Sequence, residues 1–254
     1  MPETTPAKTE KPRETLPESV AGMASVLVTL MFVTSFVFQA FEIPSGSMEN
    51  TLLIGDHLLV DRLAPSAKAG WVGSLIPYRN LARGDIAVFV APAQPGVYLV
   101  KRIVGVPGDR IRLRDGVLYV NGQAQQEPYV KKIPPLYERY RDEFPTVSPS
   151  GYPDIARGWP AVLRKNIQGD EVVVPPGHYF GMGDNRNNSL DSRYWGFIPE
   201  ENVIGRPLVI YWSFETPSDQ YYHTQLSERA AFVAHVALHF FDKTRWSRML
   251  HLVR

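Results

Sequence analysis

Two features of this sequence are suited to nucleophilic chemistry. Ser45 and Ser47 lie in the turn sequence PSGS, in which most serines are ordinary loop residues. A serine hydroxyl becomes a nucleophile only when a base lies beside it. Lys101 is a candidate for this base, because it interrupts the long apolar run of residues 97–106. Burial in such a run disfavours the charged form of a lysine and lowers its pKa.

The strand pattern around Lys101 allows two interpretations. Alternation along a β-strand places Leu99, Lys101 and Ile103 on one face. Such a lysine is either a gatekeeper on an exposed sheet edge or a desolvated amine. To act as a base near neutral pH, its pKa must fall by roughly 3 units from ~10.4, which costs on the order of 4 kcal/mol. An apolar pocket can supply a shift of that size.

Histidines offer a second base and a possible metal site. His57 is the histidine nearest to the serines in the sequence, so a Ser-His hydrolase is a rival interpretation. His235 and His239 are four residues apart and would share a helical face. No third ligand accompanies this pair in the sequence, which favours two packed histidines over a metal pair.

A polar loop at residues 181–196, GMGDNRNNSLDSRYWG, follows a predicted strand. Asp184 and Asp191 are conceivable calcium ligands, but the EF-hand spacing is absent. Arg186 and Arg193 would also place positive charge among the ligands. We therefore predict a rigid, ion-paired scaffold loop, with no metal and no cofactor.

The composition excludes several classes of function. The 27 basic residues nearly balance the 26 acidic ones, which argues against a dedicated nucleic-acid binder. The absence of cysteine excludes disulfides, thiol catalysis and zinc–thiolate sites. The 22 prolines disfavour long helical bundles and favour a turn-rich β architecture.

Residues 19–41 form an uncharged, largely apolar stretch. As a helix it would extend roughly 34 Å, enough to cross a hydrocarbon core of ~30 Å. A cleaved signal peptide would have a shorter apolar region and a small-x-small cleavage site, which this stretch lacks. We predict a single transmembrane helix that follows a disordered tail of residues 1–18.

The charges that flank this stretch predict its orientation. Three basic residues precede it, whereas Arg62 alone lies within about 20 residues after it. The N-terminus is therefore expected in the cytoplasm and the larger C-terminal part on the exported side.

Beyond residue 42 the sequence alternates between short apolar runs and turns. The dipeptide Asp115-Gly116 between alternating segments is typical of a two-residue hairpin turn. Residues 133–160 contain six prolines and are predicted to be largely irregular. The strand candidates are residues 58–62, 85–90, 97–106, 111–114, 117–120, 171–174, 179–182 and 203–212.

Two further segments have amphiphilic composition. Residues 63–81 predict a protruding loop or ribbon, and four of its side chains would suit a membrane interface. Residues 226–254 predict an amphipathic basic helix. This helix would lie on an anionic surface or pack on the β body, and the pattern does not decide between these. The four interfacial candidates of the loop are Trp71, Leu75, Ile76 and Tyr78.

Four segments together resemble bacterial type I signal peptidases, which are membrane-anchored Ser/Lys proteases. They are PSGSM (44–48), RGDIAVF (83–89), KRIVGVPGD (101–109) and GDNRNNSLDSRYWG (183–196). The resemblance extends from the apolar stretch to about residue 213. It implies that Ser47 is the nucleophile and Lys101 the general base.

The resemblance also implies supporting roles for other residues. Ser45 would help to bind the oxyanion, and Ser189 would orient the lysine amine. Two departures from the family pattern are Asn187, where aspartate is common, and Asn50, where proline is usual. The loop would be braced by ion pairs, foremost Asp191 with Arg193, among Asp184, Arg186, Asp191 and Arg193.

The implied fold is a mostly antiparallel β-sheet catalytic core with a second β domain inserted into it. The core would comprise residues 42–109 and 177–225, and the insertion residues 110–176. The implied partners are signal-peptide-bearing preproteins and the phospholipid bilayer of the bacterial cytoplasmic membrane, with no nucleic acid. The implied reaction is cleavage after small residues through an acyl-enzyme.

Three other functions compete with this interpretation. A specialised paralogue would process few substrates. An inactive, membrane-tethered peptide-binding β module would not need Ser47 and Lys101, which are both present. A self-cleaving Ser/Lys repressor would need a DNA-binding head, for which residues 1–18 are too short.

Overall fold

The structure is a computed structural model that describes residues 15–63, 79–131 and 137–253. Most of the predicted tail, and the four interfacial candidates of the predicted loop 63–81, lie outside these residues. The described part consists mainly of antiparallel β-sheets, which confirms the β core of the predicted fold class.

Eight strands, numbered along the chain, form the larger sheet. They are β1 (Phe38–Glu42), β2 (Asp56–Asp61), β3 (Ile86–Val90), β4 (Tyr98–Gly105), β10 (His178–Met182), β11 (Ile198–Pro199), β12 (Val203–Ser213) and β13 (His251–Leu252). Their order is β1-β2-β12-β3-β4-β10-β11, with β13 also paired to β12, and every pairing is antiparallel. β4 therefore lies in the interior of this sheet.

A smaller sheet lies within residues 110–173. It contains β5 (Arg110–Arg114), β6 (Val117–Val120), β7 (Gln123–Ala124), β8 (Ile167–Gln168) and β9 (Glu171–Val173), in the order β7-β6-β5-β9-β8. Asp115 and Gly116 connect β5 to β6 with φ angles of 51° and 71°. Positive φ at both positions is what a two-residue hairpin turn of type I′ requires.

One hydrophobic cluster joins the two sheets. Ile111 and Leu118 of the smaller sheet pack in the same buried cluster as Phe180 of β10 and the neighbouring Phe197. The smaller sheet is thus fastened to the larger one by shared apolar burial. The separate domain predicted for residues 110–176 stays a prediction.

Most helices of the described residues are short. The described residues of the proline-rich segment 133–160 are mainly turns and irregular chain, as predicted, apart from the helix Arg139–Asp142 and the start of the helix Trp159–Asn166. The helices are α1 (Leu16–Phe32), α2 (Arg139–Asp142), α3 (Trp159–Asn166), α4 (Ser192–Trp195), α5 (Leu226–Leu238) and α6 (Phe240–Lys243).

The bounds predicted for the transmembrane helix are wrong. α1 begins inside the predicted tail, where Glu18 accepts a hydrogen bond from the Thr15 backbone N–H at 2.8 Å. A π-helical turn, Val33–Val37, continues α1, and the chain then pairs with β2 as strand β1. No residue of α1 is buried. Among the residues that the structure describes, no helix combines the length and the apolar character needed to cross a membrane.

The helix predicted over residues 226–254 is also wrong in its extent. α5 ends at Leu238, and after α6 the chain returns to the larger sheet as β13. Two basic residues of this segment, Arg245 and Arg248, bind the body of the protein. Arg245 Nη1 donates to the Ile54 carbonyl oxygen at 2.9 Å, and Arg248 Nη2 donates to the Thr51 carbonyl oxygen at 2.9 Å. The segment after α6 therefore packs on the β body.

Replacement of Arg248 by methionine is expected to destabilise the fold. Arg248 Nη2 pairs with Asp56 Oδ2 at 2.5 Å, and the Asp56 side chain is fully buried. Without the guanidinium, a buried carboxylate loses its main partner, so the free energy of unfolding should fall by about 2 kcal/mol. Urea unfolding followed by circular dichroism measures this difference.

Lys243→Met provides the matched control for Arg248→Met. Lys243 also lies in the C-terminal segment, but it pairs with Glu215 at 3.0 Å on the protein surface. Loss of an exposed pair should change the free energy of unfolding by less than about 1 kcal/mol. Equal losses in the two variants would contradict a specific contribution from the Asp56–Arg248 contact.

Candidate active site

Ser47 lies in a short 3₁₀ turn, Gly46–Met48, that follows β1. The turn is held in place by apolar side chains behind it, because Met48 is 1% exposed and Leu52 is fully buried. The Ile43 backbone N–H donates to the Asp56 carbonyl oxygen at 2.9 Å. The turn therefore has a fixed position at the end of β1, and it leaves Ser47 half-buried.

Lys101 lies in β4, and its side chain points into the protein. It is 3% exposed and pairs with Ala87 of β3, while the following residues of β4 pair with β10. The interpretation of Lys101 as an edge-strand gatekeeper is therefore wrong. A side chain added at Gly181 of β10 would lie 3.2 Å from the Lys101 Cβ atom. The absence of a side chain at Gly181 leaves room for the lysine.

The amine of Lys101 contacts the hydroxyl of Ser47. The distance between Lys101 Nζ and Ser47 Oγ is 2.6 Å. Burial lowers the pKa of Lys101 to about 8, against the opposing effect of Asp191 and with the support of Arg193. A neutral amine at this distance can accept the serine proton.

Arg102, the residue after Lys101, organises the next part of the site. Its guanidinium binds the buried Asp184 carboxylate through two bonds, Nε–Oδ1 at 2.9 Å and Nη2–Oδ2 at 2.7 Å. Thr51 Oγ1 donates to the same carboxylate at 2.6 Å. This role of Arg102 was not predicted from the sequence. The available signal was strand alternation, which places Arg102 on the second buried face of β4.

The structure pairs Asp191 with Arg193. Nη2 and Oδ2 are 2.7 Å apart, and both side chains are fully buried. Burial opposes the charge on Asp191, but the adjacent Arg193 outweighs this effect and lowers the pKa of Asp191. Asp191 Oδ2 also accepts from the Gly183 backbone N–H at 3.1 Å. The pair fixes the loop beneath Lys101.

Arg186 does not pair with an aspartate of its own loop. Its Nη1 donates to Glu127 Oε2 at 2.7 Å, and its Nε donates to the Gly183 carbonyl oxygen at 3.0 Å. Both side chains of the Arg186–Glu127 pair are almost completely buried. Glu127 belongs to the segment after β7 and was not predicted to contribute.

Ser45 and Ser189 occupy different positions relative to the dyad. Ser45 is exposed and lines the same cavity as Ser47 and Lys101. Ser189 is 7% exposed, and its Oγ makes no hydrogen bond with any described residue. The predicted hydrogen bond from Ser189 to the lysine amine is therefore not seen.

Gly183 lies between Ser189 and the turn that carries Ser47. A Cβ atom at Gly183 would lie 2.3 Å from Ser189 Oγ and 2.4 Å from the Ser47 carbonyl oxygen. Both distances are far below van der Waals contact, so only glycine fits here. The glycines of this loop are visible in the sequence, but this close approach is not, because it depends on how distant segments pack.

A cavity of about 240 Å³ opens at the dyad. Apolar side chains form most of its wall, and the two serines and Lys101 lie along it. A larger pocket of about 880 Å³ lies beyond β4 and shares only Leu99 with the described lining of the first. The small cavity is therefore the one adjacent to the reactive groups. Its apolar wall includes Phe41, Ile43, Met48, Val97 and Val100.

Comparison with known proteins identifies the family. The sequence matches the protein family described as signal peptidase, peptidase S26, over residues 16–212. The chain belongs to the signal peptidase family. It is 33% identical to the signal peptidase I of Buchnera aphidicola over 243 residues, which covers 80% of this chain and 77% of the relative. It is also 33% identical to the signal peptidase I of Pseudomonas aeruginosa over 210 residues, which covers 76% and 71%.

A solved structure of a signal peptidase I from Enterococcus faecalis is also similar in sequence. It is 26% identical, and the match covers 50% of this chain and 97% of the other, with a TM-score of 0.32. A TM-score this low does not by itself establish a shared fold, so the family assignment depends on the sequence matches.

Asn50 departs from the usual signal peptidase pattern for a structural reason. Its φ angle is 103°, which proline cannot adopt because its ring fixes φ near −65°. Asn50 Nδ2 donates to the Tyr129 carbonyl oxygen at 2.9 Å. The other departure, Asn187, lies in the 3₁₀ turn Arg186–Asn188.

The structure does not support His57 as the base of this signal peptidase. His57 lies in β2, and its ring stacks on Trp212 with a centroid separation of 4.7 Å. Burial lowers the pKa of His57, against the effect of Glu42 and Asp56. Among the described hydrogen bonds, none joins its ring to Ser47.

The metal interpretations gain no support either. In residues 15–63, 79–131 and 137–253, no three potential ligands of the His, Asp or Glu type form a cluster that could hold an ion. His235 and His239 are in ring contact at 4.5 Å, and His239 bonds to Asp242. The carboxylates of the loop 181–196 are occupied by arginines, as described above.

Gly183→Ala is expected to reduce the catalytic rate by about a hundredfold or more. The added methyl group must push Ser189 or the Ser47 backbone aside, and a displacement of about 1 Å at a reacting group costs a factor of this size. The measurement is kcat on a cleavable precursor, with circular dichroism to confirm folding.

Gly158→Ala is the control for this substitution. No atom lies within 4 Å of the position of its added Cβ, so activity should remain unchanged. An active Gly183→Ala enzyme would show that the turn and the loop tolerate separation, contrary to the packing described above.

Proposed function

We propose that this protein removes N-terminal signal peptides from exported preproteins, with Ser47 as nucleophile and Lys101 as general base. Membership of the signal peptidase family supports the reaction class. The observation that carries the residue assignment is the 2.6 Å contact between the buried Lys101 amine and the Ser47 hydroxyl.

The first half of the reaction forms an acyl-enzyme. Neutral Lys101 takes the proton from Ser47 as Oγ attacks the carbonyl carbon of the scissile peptide bond. The tetrahedral intermediate collapses when the carbon–nitrogen bond breaks. The lysine ammonium gives its proton to the departing amine, so Lys101 is neutral again and the mature chain can leave.

The second half of the reaction hydrolyses the ester. Lys101 removes a proton from a water molecule, and the resulting hydroxide attacks the ester carbonyl carbon. The proton on Lys101 then returns to Ser47 Oγ as the bond between Oγ and the carbonyl carbon breaks. The signal peptide leaves with a new carboxylate, and the enzyme regains its starting state.

The surroundings of Ser47 suit the intermediate and an apolar side chain. The Ser45 hydroxyl and the Ser47 backbone N–H would donate to the oxyanion, which is the type of stabilisation that acyl transfer needs. The adjacent cavity of about 240 Å³ has a largely apolar wall, which suits an apolar side chain of the substrate. The preference for alanine-like residues before the cleaved bond is inferred from the resemblance to type I signal peptidases.

The proposal places the reaction beside a lipid surface at the bacterial cytoplasmic membrane. Residues of α1 expose large apolar side chains to their surroundings, such as Val20 at 60% and Met23 at 73%. Exposed apolar surface of this extent is typical of a segment that contacts lipid or another protein. The flanking charges support a cytoplasmic N-terminus and a catalytic part on the exported side.

Substitution of each candidate base tests the assignment. Ser47→Ala and Lys101→Ala should each abolish cleavage of a signal-bearing precursor, because either change removes one member of the dyad. His57→Ala should retain activity, since its ring stacks on Trp212 away from Ser47. Cleavage is measured by gel separation of precursor and mature protein.

Two outcomes would favour the rival functions. Loss of activity in His57→Ala with retention in Lys101→Ala would support the Ser-His hydrolase. If the unchanged protein and Ser47→Ala bind small-x-small signal sequences equally and neither cleaves them, the peptide-binding module would be supported instead.

The rate of cleavage should depend on the ionisation of Lys101. Its pKa is about 8, and only the neutral amine can accept the serine proton. The value of kcat/KM should therefore fall by about tenfold per pH unit below about pH 8 and should level off above it. Initial rates between pH 6 and pH 10 measure this profile. A profile that is flat down to pH 6 would contradict a lysine base.

A further inference from the structure

We propose that residues 127–131, here named the strap, position the catalytic dyad by fastening the Ser47 turn and Arg102 to the loop 181–196. The strap follows β7 and therefore comes from the smaller sheet. This inference rests on the proposed function, because it assigns a positioning role within the same reaction.

The strap holds the segment that carries the nucleophile. Lys131 Nζ bonds to Glu49 Oε2 at 2.8 Å, two residues after Ser47. The Tyr129 carbonyl oxygen accepts from Asn50 Nδ2 at 2.9 Å. These contacts join positions that are about 80 residues apart in the chain, as the separations of 79 and 82 show.

The strap also holds the loop beneath Lys101. Glu127 pairs with Arg186, and both side chains are almost completely buried. The Lys131 backbone N–H donates to the Asp184 carbonyl oxygen at 3.0 Å. Removal of these partners would leave buried charge without compensation, so the loop and the strap are expected to move together.

Tyr129 connects the strap to Arg102, the residue that follows Lys101 in β4. The Arg102 guanidinium lies 3.8 Å from the centre of the Tyr129 ring. The same guanidinium also makes two hydrogen bonds to the Asp184 carboxylate. A cation on a partly buried aromatic ring is held by the ring quadrupole and shielded from water.

The position of Arg102 affects the pKa of Lys101 through the charge of Asp184. Asp184 raises the pKa of Lys101, although burial is the dominant and opposite effect. While Arg102 neutralises Asp184, this raising effect is limited. Displacement of Arg102 would expose Lys101 to the Asp184 carboxylate and would favour the protonated, inactive amine.

Tyr129→Ala tests this role, and Tyr129→Phe tests whether the ring is the part that matters. Tyr129→Ala should lower kcat by about tenfold below pH 8, because a Lys101 pKa that rises by about one unit leaves about one tenth as much neutral amine. KM should change little, and the acidic limb of the pH profile should move to higher pH. Tyr129→Phe keeps the ring over Arg102 and should behave like the unchanged enzyme.

Tyr119→Ala is the matched control. Tyr119 lies in β6 of the smaller sheet, and Arg112 lies over its ring at 4.9 Å, so the variant removes the same type of contact. Among the described residues, its ring and backbone contacts lie within the smaller sheet, so the variant should leave kcat and the pH profile unchanged. If Tyr119→Ala and Tyr129→Ala changed kcat and the pH profile equally, the strap would contribute only to folding in general, and the proposal would be overturned.

A second variant and a second measurement keep the test decisive. Tyr129→Leu preserves apolar bulk, so it can replace Tyr129→Ala if that protein fails to fold, as judged by circular dichroism. NMR titration of lysine ¹³Cε in labelled enzyme, with Lys101→Ala for assignment, reports the Lys101 pKa without any cleavage. An unchanged Lys101 pKa in both Tyr129→Ala and Tyr129→Leu overturns the proposal. A raised Lys101 pKa in an enzyme that cleaves no precursor supports the strap and rejects the proposed function.

Discussion

The burial of the Lys101 amine is the constraint on which the rest of the site depends. A charged ammonium is unfavourable in a protein interior, so the amine releases its proton more readily than it does in water. The effect requires a position with sheet on both sides, and β4 supplies it between β3 and β10. It also requires that no nearby carboxylate hold the proton in place.

The two buried carboxylates near Lys101 meet that second requirement because each has its own arginine. Asp184 is bound by Arg102, and Asp191 is bound by Arg193. Buried ion pairs of this kind contribute little net stability, since desolvation of both charges offsets their attraction. Their value in this fold is that they make a rigid, polar loop without adding a net negative charge beside the amine.

The parts of the site that sequence predicted are those that depend on local pattern. Lys101 was predicted because it interrupts an apolar run, and strand alternation placed it on one face with Leu99 and Ile103. The role of Ser47 came from the resemblance and not from its turn, which is ordinary in sequence. The roles of Arg102, Gly183 and the strap were not predicted, because they arise from contacts between distant segments. Contacts of the strap and of Arg102 join positions about 80 residues apart, and the close approach at Gly183 exists only after packing.

The misplaced end of the predicted membrane helix has a related cause. Hydropathy measures avoidance of water, and it does not distinguish lipid from the interior of a sheet. Phe41 counts as apolar in the hydropathy of the predicted helix, but its side chain packs against the buried cluster that contains Leu58. The charge pattern of the C-terminal segment was similarly undecided, because basic residues are compatible with an anionic surface and with the β body. Arg245 and Arg248 bind carboxylate and carbonyl oxygens of the β body.

The direct passage from α1 into β1 has a consequence for substrate selection. Five residue pairs join β1 to β2, and the Ile43 backbone N–H also donates to the Asp56 carbonyl oxygen, so the chain that leads from the π-helical turn towards Ser47 is fastened to the sheet. At about 3.3 Å per residue, β1 itself extends roughly 17 Å. If α1 contacts lipid as proposed, Ser47 lies at one height above it. A protein of this design would select substrates by the distance of the cleavable bond from the membrane as well as by the side chains beside that bond.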